Sequence, residues 1–189
     1  MSKLKSYIYF FYVVFVYTIF CLLLAPFIYF LVRGKRKFKN AKRIKIFWAK
    51  SMTYAFGISI KKTYIKTLNR NDKYIICANH KSYLDILLMY LIIDNDFAFL
   101  GKSEILKYPV IRIFFKRGID IPVFRENRIK AAHSLELAKK EIKRDRSIVI
   151  FPEGGWDNSE NEMRKFKNGA FKLAIETGTS ILPVTFKNN

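Results

Sequence analysis

Residues 7–32 carry no charged side chain, and this stretch constrains the fold more than any other part of the 189-residue chain. A straight helix over it would measure about 39 Å, against a bilayer hydrocarbon core of about 30 Å, so it can span a membrane with some tilt. Pro26 permits a kink, however, and the eleven tyrosines and phenylalanines in the stretch favour the membrane interface. A helix that dips into one leaflet is therefore the alternative.

A basic segment, residues 33–45, follows the apolar stretch directly. It outweighs Lys3 and Lys5 on the other side, which predicts that the rest of the chain faces the cytoplasm. Such a segment should also bind anionic lipid headgroups, worth about 1 kcal/mol per basic residue near the surface. Residues 44–56 are apolar enough for a second helix, which either lies on the bilayer or packs in the core. We therefore expect a membrane anchor over residues 1–60 and one further domain over residues 61–189.

The formal net charge is +20, from 35 Lys and Arg against 15 Asp and Glu. Nucleic acid would be one partner for so positive a protein. The sequence contains no nucleic-acid recognition motif, however, and part of the charge lies beside the apolar stretch, so anionic lipid explains the sign more simply. The two cysteines, Cys21 and Cys77, form neither a disulfide framework nor a metal-ligand spacing, and we expect no metal site.

From residue 74 onward, short β-branched runs alternate with helical patterns. This alternation predicts an α/β fold: a mixed, largely parallel sheet flanked by helices, with the N-terminal helical segment embedded in the membrane. Strands are predicted over residues 74–78, 97–100, 119–124, 147–151 and 181–186, and helices over 83–93, 108–115, 127–144 and 167–176.

His80, one of only two histidines, lies between a predicted strand and a predicted helix. Ser82 is a good helix N-cap, and Asp85 falls on the first turn. Asp85 could accept a hydrogen bond from one ring nitrogen of His80, which would fix the tautomer and leave the other nitrogen to take a proton from a hydroxyl. The alternative is an ordinary capping box of Ser82 and Asp85, with His80 as a loop residue.

A second polar cluster follows the strand predicted over residues 147–151, where Pro152 leads into Glu153, Gly154 and Gly155. Open α/β sheets place their ligands at the carboxyl ends of strands, so Glu153 should lie at the same edge as His80. A plain turn is the alternative for the two glycines. His133, in contrast, falls off the apolar stripe of its predicted helix and is expected at the surface.

Together these residues resemble the glycerolipid acyltransferases, the family of the 1-acyl-sn-glycerol-3-phosphate acyltransferases. Asn79, His80 and Asp85 match its N-H-x-x-x-x-D signature, residues 151–154 match F-P-E-G, and residues 118–125 are similar to the block whose final arginine contacts the acceptor phosphate. Residues 181–186 are similar to the last strand of the family. One such motif alone is a weak signal, whereas the ordered set is specific.

The resemblance implies transfer of a fatty acyl group from a thioester, either acyl-acyl carrier protein or acyl-CoA, to the free hydroxyl of a lysophospholipid. The expected product is phosphatidic acid, with no other cofactor, at the cytoplasmic side of the membrane and among membrane lipids. His80 is implied as the general base and Asp85 as the group that orients it. Arg125 would bind the acceptor phosphate, Glu153 would hydrogen-bond the glycerol or organise the local backbone, and Gly154 would permit close approach.

The chain departs from the family pattern after Gly154. The family often continues with threonine and arginine, whereas this chain has Gly155 and Trp156, so a cationic contact is missing there. The end at Asn189 also suggests a C-terminally short domain. Two alternatives follow: a membrane-bound thioester hydrolase that uses His80 and Asp85 on water, and a catalytically silent lipid-binding protein.

Overall fold

The computed structural model describes residues 3–65, 67–155 and 164–187. In chain order the helices are α1 Lys3–Leu31, α2 Lys37–Ala55, α3 Leu84–Ile92, α4 Ile111–Lys116, α5 Arg128–Ile142 and α6 Gly169–Thr177, with a 3-10 turn at Ser103–Lys107. The strands are β1 Ile75–Ala78, β2 Phe97–Lys102, β3 Ile121–Val123, β4 Ser147–Ile150 and β5 Ile181–Val184. The predicted α/β alternation is confirmed.

The strands form one sheet in the order β3-β2-β4-β1-β5, and every pairing between them is parallel. The two central strands supply buried core residues, with Ile75, Ile76, Ile148 and Val149 all at 0% exposure. Continuous β-branched runs are typical of parallel strands that helices cover on both faces, which is why these short segments form strands. Since β1 and β4 are neighbours, the residues that follow them meet at the centre of one sheet edge.

The helix predicted over residues 108–115 differs from the structure. The chain first makes the 3-10 turn, and α4 begins only at Ile111. Tyr108 is extended, with ψ 115°, because the residue before Pro109 is sterically disfavoured in the helical region. Proline therefore separates the two helical pieces.

The first two helices form an antiparallel hairpin. The Tyr9 hydroxyl donates to the Phe56 carbonyl at 3.0 Å, and at the other end the Asn40 amide donates to the Leu31 carbonyl at 2.7 Å. Helix α1 is long and apolar enough to cross a membrane by length and composition, and most of its large apolar side chains are exposed. A contiguous apolar surface of this size requires a bilayer or another protein to cover it.

Helix α2 has two contrasting faces. Ala41, Ala49 and Met52 are fully buried, with α3 as the main packing partner of the helix, whereas Tyr54 is 90% exposed. The inner face also carries Lys45, whose ammonium lies 2.5 Å from a carboxylate oxygen of Asp120, with both side chains only 4% exposed. Residues 44–56 are expected from the sequence either to pack in the core or to lie on the bilayer. The inner face of the helix packs in the core, and its outer face is exposed at the protein surface.

Candidate active site

Asp85 is the centre of a tight polar cluster at the carboxyl end of β1. Its side chain is completely buried, and one oxygen, Oδ2, lies 2.8 Å from His80 Nδ1. The same oxygen accepts the backbone N–H groups of Lys81 at 2.9 Å and Ser82 at 3.0 Å. A single carboxylate oxygen thus meets two backbone donors and one imidazole nitrogen. This carboxylate therefore orients the imidazole and is itself held by the backbone.

At the start of α3, Asp85 both contacts His80 and forms a capping box with Ser82. The Ser82 hydroxyl accepts the Leu84 N–H at 3.1 Å while Asp85 accepts the Ser82 N–H, which is the reciprocal pattern of a capping box. The helix begins at Leu84, two residues later than the cap. The backbone N–H groups of Lys81, Ser82 and Leu84 are engaged in this capping, so they do not offer donors to a substrate oxyanion.

Glu153 follows β4 and contacts the backbone of His80. Its Oε1 accepts the backbone N–H of His80 at 3.1 Å, and the residue is only 6% exposed. Of the two roles implied for Glu153, the geometry corresponds to organising the backbone. The adjacency of β1 and β4 brings these residues together, as the strand order predicts.

Phe151 supplies a contact that the sequence did not predict. Its ring stacks on the His80 imidazole, with centroids 3.9 Å apart and an interplanar angle of 16°. The Phe99 ring is nearly parallel to that of Phe151, with centroids 6.0 Å apart. From the sequence, a phenylalanine at the end of a buried strand is expected to pack in the core. The sequence pattern does not indicate that its ring faces His80.

Asn79 joins the histidine segment to the chain beyond β5. Its side-chain amide donates to the Phe186 carbonyl at 2.9 Å and accepts the Phe186 N–H at 2.7 Å. This two-way amide contact continues the parallel pairing of β1 and β5 past the last strand residue. It fixes the backbone immediately before His80, a role that the motif match alone does not reveal.

Arg125 follows β3 and reaches the turn after β4. Its guanidinium donates to the Gly154 carbonyl oxygen. Gly154 has φ +76° and Gly155 has φ +138°, conformations that favour glycine, and the Gly154 N–H closes the turn on Phe151 at 3.0 Å. Partial burial lowers the pKa of Arg125, Glu104 raises it, and Arg164 adds to the lowering. Trp156, the other departure from the family pattern, lies outside the described residues.

In the part of the chain that the structure describes, no group of three or more His, Cys, Asp or Glu side chains is placed to hold a metal ion. The site instead combines an imidazole, a buried carboxylate and a guanidinium along one edge of a parallel sheet. His133, the second histidine, is exposed on α5, as its position off the apolar stripe predicts.

Comparison with known proteins shows the class of protein to which the chain belongs. A family model described as Acyltransferase matches residues 59–187, and the chain belongs to that family. The crystal structure of the 1-acyl-sn-glycerophosphate acyltransferase from Thermotoga maritima has the same fold, with a TM-score of 0.78 at 21% identity over 97% of this chain and 74% of that one.

The curated relatives include 1-acyl-sn-glycerol-3-phosphate acyltransferases from two bacteria. The protein from Borreliella burgdorferi is 37% identical over 135 residues, which cover 70% of this chain and 52% of the relative. That from Haemophilus influenzae is 28% identical over 151 residues, 78% of this chain and 62% of the relative. The matched region thus spans about half to three fifths of these two proteins.

Proposed function

We propose that this protein transfers a fatty acyl group from an acyl thioester to the free hydroxyl of a lysophospholipid, converting 1-acylglycerol-3-phosphate to phosphatidic acid. The observation that carries the proposal is the contact of His80 Nδ1 with the fully buried Asp85 carboxylate. Membership of the acyltransferase family and the names of the relatives support the reaction class.

In the proposed reaction His80 is the general base. Asp85 accepts a hydrogen bond from the Nδ1–H group of His80, which leaves proton transfer to Nε2. Nε2 removes the proton from the acceptor hydroxyl as the hydroxyl oxygen attacks the thioester carbonyl. The new ester bond forms as the carbon–sulfur bond breaks, and the imidazolium returns the proton to the departing thiolate. Asp85 stabilises the imidazolium in between. A well-placed base of this kind is worth about 10²–10⁴ in rate.

The acceptor would be held at the turn between Glu153 and Gly155. Arg125, which reaches this turn, would bind the phosphate through charge-assisted hydrogen bonds. Glu153 would act by positioning His80, because its carboxylate accepts the His80 N–H and thereby fixes the backbone of the base. Gly154, which has no side chain, would permit close approach to the turn by the Lys167 side chain and by the acceptor.

The membrane is the proposed site of action. Residues 1–60 would anchor the protein and residues 61–189 would form the catalytic domain, on the cytoplasmic side of the inner membrane. The exposed apolar surface of α1 supports membrane association, and the basic residues 33–45 support contact with anionic headgroups. Because α1 runs antiparallel along α2, we favour a helix that lies against the catalytic domain in one leaflet.

The decisive experiment uses the full chain, purified in detergent or reconstituted in vesicles. Radiolabelled acyl-acyl carrier protein and acyl-CoA would each be offered with a panel of lysophospholipids, and the lipid products identified. We expect phosphatidic acid from 1-acylglycerol-3-phosphate, and no turnover by His80→Ala. Undiminished acyl transfer by that variant would overturn the proposal.

The same assay separates the two alternatives. A thioester hydrolase would release free fatty acid without an acceptor, and Arg125→Ala would not slow it, whereas a transferase would lose acceptor binding in this variant. A silent lipid-binding protein would show no turnover before or after His80→Ala and would bind lipid equally in both forms.

A further inference from the structure

Three cationic side chains from different segments converge on the glycine turn that follows β4. Besides the contact of Arg125 with the Gly154 carbonyl, an added Cβ at Gly155 would lie 3.6 Å from Arg125 Nη1 and 3.9 Å from Arg164 Nη1. An added Cβ at Gly154 would lie 3.2 Å from Lys167 Nζ. The charged ends of all three side chains therefore border two consecutive glycines.

The glycines leave the space in which these charges meet. A side chain at Gly154 would come within 2.9 Å of Lys167 Cε, closer than carbon atoms pack, so it would push the lysine away. The backbone also holds this lysine in position, since the Lys167 N–H donates to the Pro152 carbonyl at 2.9 Å. The position of Lys167 beside the turn is thus fixed by a backbone hydrogen bond and not only by its flexible side chain.

The cluster is adjacent to the proposed base. Gly154 directly follows Glu153, and the Glu153 carboxylate is 3.1 Å from the backbone nitrogen of His80. In 1-acylglycerol-3-phosphate the reacting hydroxyl and the phosphate ester are on neighbouring carbons of the glycerol. A phosphate bound over the glycine turn would therefore present the hydroxyl toward the histidine, which is the orientation that the reaction needs.

We propose that Arg164 and Lys167 join Arg125 in binding the phosphomonoester of the acceptor, and that this triple cation selects a phosphomonoester over a phosphodiester headgroup. The proposal rests on the proposed function. It also accounts for the departure at Gly155 and Trp156: Arg164, which comes from later in the chain, supplies the charge that the usual arginine would provide. A dianionic headgroup gains more from each added cation than a headgroup with a single negative charge.

The test compares neutral variants, Arg164→Gln and Lys167→Gln, with Lys165→Gln as the matched control, because Lys165 is an exposed basic residue between them. Michaelis constants would be measured for 1-acylglycerol-3-phosphate, for 1-acylglycerophosphocholine and for the acyl donor. We expect Arg164→Gln to raise the acceptor constant at least about tenfold with kcat nearly unchanged. The preference for the phosphomonoester acceptor should shrink by a similar factor, and the charge-conserving Arg164→Lys should recover part of it.

A phosphomonoester is also present in coenzyme A, so the donor measurement separates the two sources. A rise confined to the acyl-CoA constant would overturn the proposal in favour of a donor site. Acceptor constants in Arg164→Gln equal to those of Lys165→Gln would overturn it as well. Failure of the proposed function would look different, because the wild-type protein itself would then form no phosphatidic acid.

Discussion

The His80 imidazole lies face to face with the Phe151 ring, with centroids 3.9 Å apart. Two planar rings at this separation restrict rotation about the histidine side chain. The stack also places the negative face of a π-system against the ring that becomes a cation when it takes a proton. Phe151 is therefore a positioning residue for the proposed base, in addition to being part of the strand end.

Replacing Phe151 by leucine tests this role. We expect kcat to fall about tenfold, because each 1.4 kcal/mol lost from the transition state is a factor of ten, while the acceptor Michaelis constant changes little. Phe151→Tyr keeps a ring against the imidazole and should retain the wild-type kcat.

Phe99→Leu is the matched control for the Phe151 variant. It removes the next ring of the stack, which is 6.0 Å from Phe151, without touching the histidine. We expect it to lower the melting temperature while leaving kcat unchanged. A kcat unchanged in Phe151→Leu, or lowered equally in both variants, would show that the ring contributes packing only.

Asp85 allows orientation of the base to be separated from stability of the helix start. In Asp85→Asn the amide oxygen can take the position of Oδ2 and accept the same N–H groups of Lys81 and Ser82, but it carries no negative charge to orient and stabilise the imidazolium that forms. We therefore expect kcat to fall by about 10³–10⁴ with a nearly unchanged melting temperature. Asp85→Ala removes every acceptor and should lose stability as well as activity. Retention of more than a tenth of wild-type activity by Asp85→Asn would contradict the orienting role.

The sequence predicted the placement of the site because that placement follows from local rules. Strand ends carry their polar residues to one edge whenever the strands are parallel and adjacent, so His80 and Glu153 could be expected together. The spacing of Ser82 and Asp85 likewise predicts a capping box from the chemistry of four consecutive residues. The hydrogen bonds of Asp85 follow from this local geometry.

Contacts between distant segments escaped prediction. Asn79 bonds to Phe186, 107 residues away, and Phe151 faces His80 only because β1 and β4 have a particular register. The same is true of Lys45, which reads as one of many basic residues in the segment 33–45 yet pairs with Asp120 inside the protein. Amphipathic periodicity indicates which face of a helix is buried, but it does not indicate which residue pairs with a charged side chain on that face.

Removing one partner of the buried Lys45–Asp120 pair should lower the free energy of unfolding strongly, whereas replacing both partners should lower it little. Burial lowers the pKa of Lys45, and the Asp120 carboxylate opposes that shift; Asp120 also accepts the Phe99 N–H at 3.0 Å. Lys45→Met leaves a buried charge unpaired, and we expect it to cost about 3–5 kcal/mol of unfolding free energy. The double variant Lys45→Met, Asp120→Asn should recover most of this loss, because asparagine can still accept the Phe99 N–H.

A surface pair provides the control for this cycle. Lys73 and Asp145 are 2.8 Å apart with side chains 36% and 79% exposed, so Lys73→Met should change the unfolding free energy by less than about 1 kcal/mol. Chemical denaturation in detergent micelles would measure the three variants beside the wild-type protein. Equal effects of Lys45→Met and Lys73→Met would contradict the assignment of Lys45 to the interior.

The buried phenol of Tyr90 should make the stability of the fold decrease at alkaline pH. Burial raises the pKa of its phenol well above the ordinary value near 10, with Asp120 adding to the shift. Above about pH 10 the unfolded chain releases this proton while the folded protein keeps it, so stability falls as the pH rises. Tyr90→Phe removes this one contribution, and its melting temperature relative to wild type should therefore increase between pH 8.5 and about 10.5. The exposed Tyr54 is the control: Tyr54→Phe should show the same difference from wild type at both pH values, and an equal response of the two variants would contradict the burial argument.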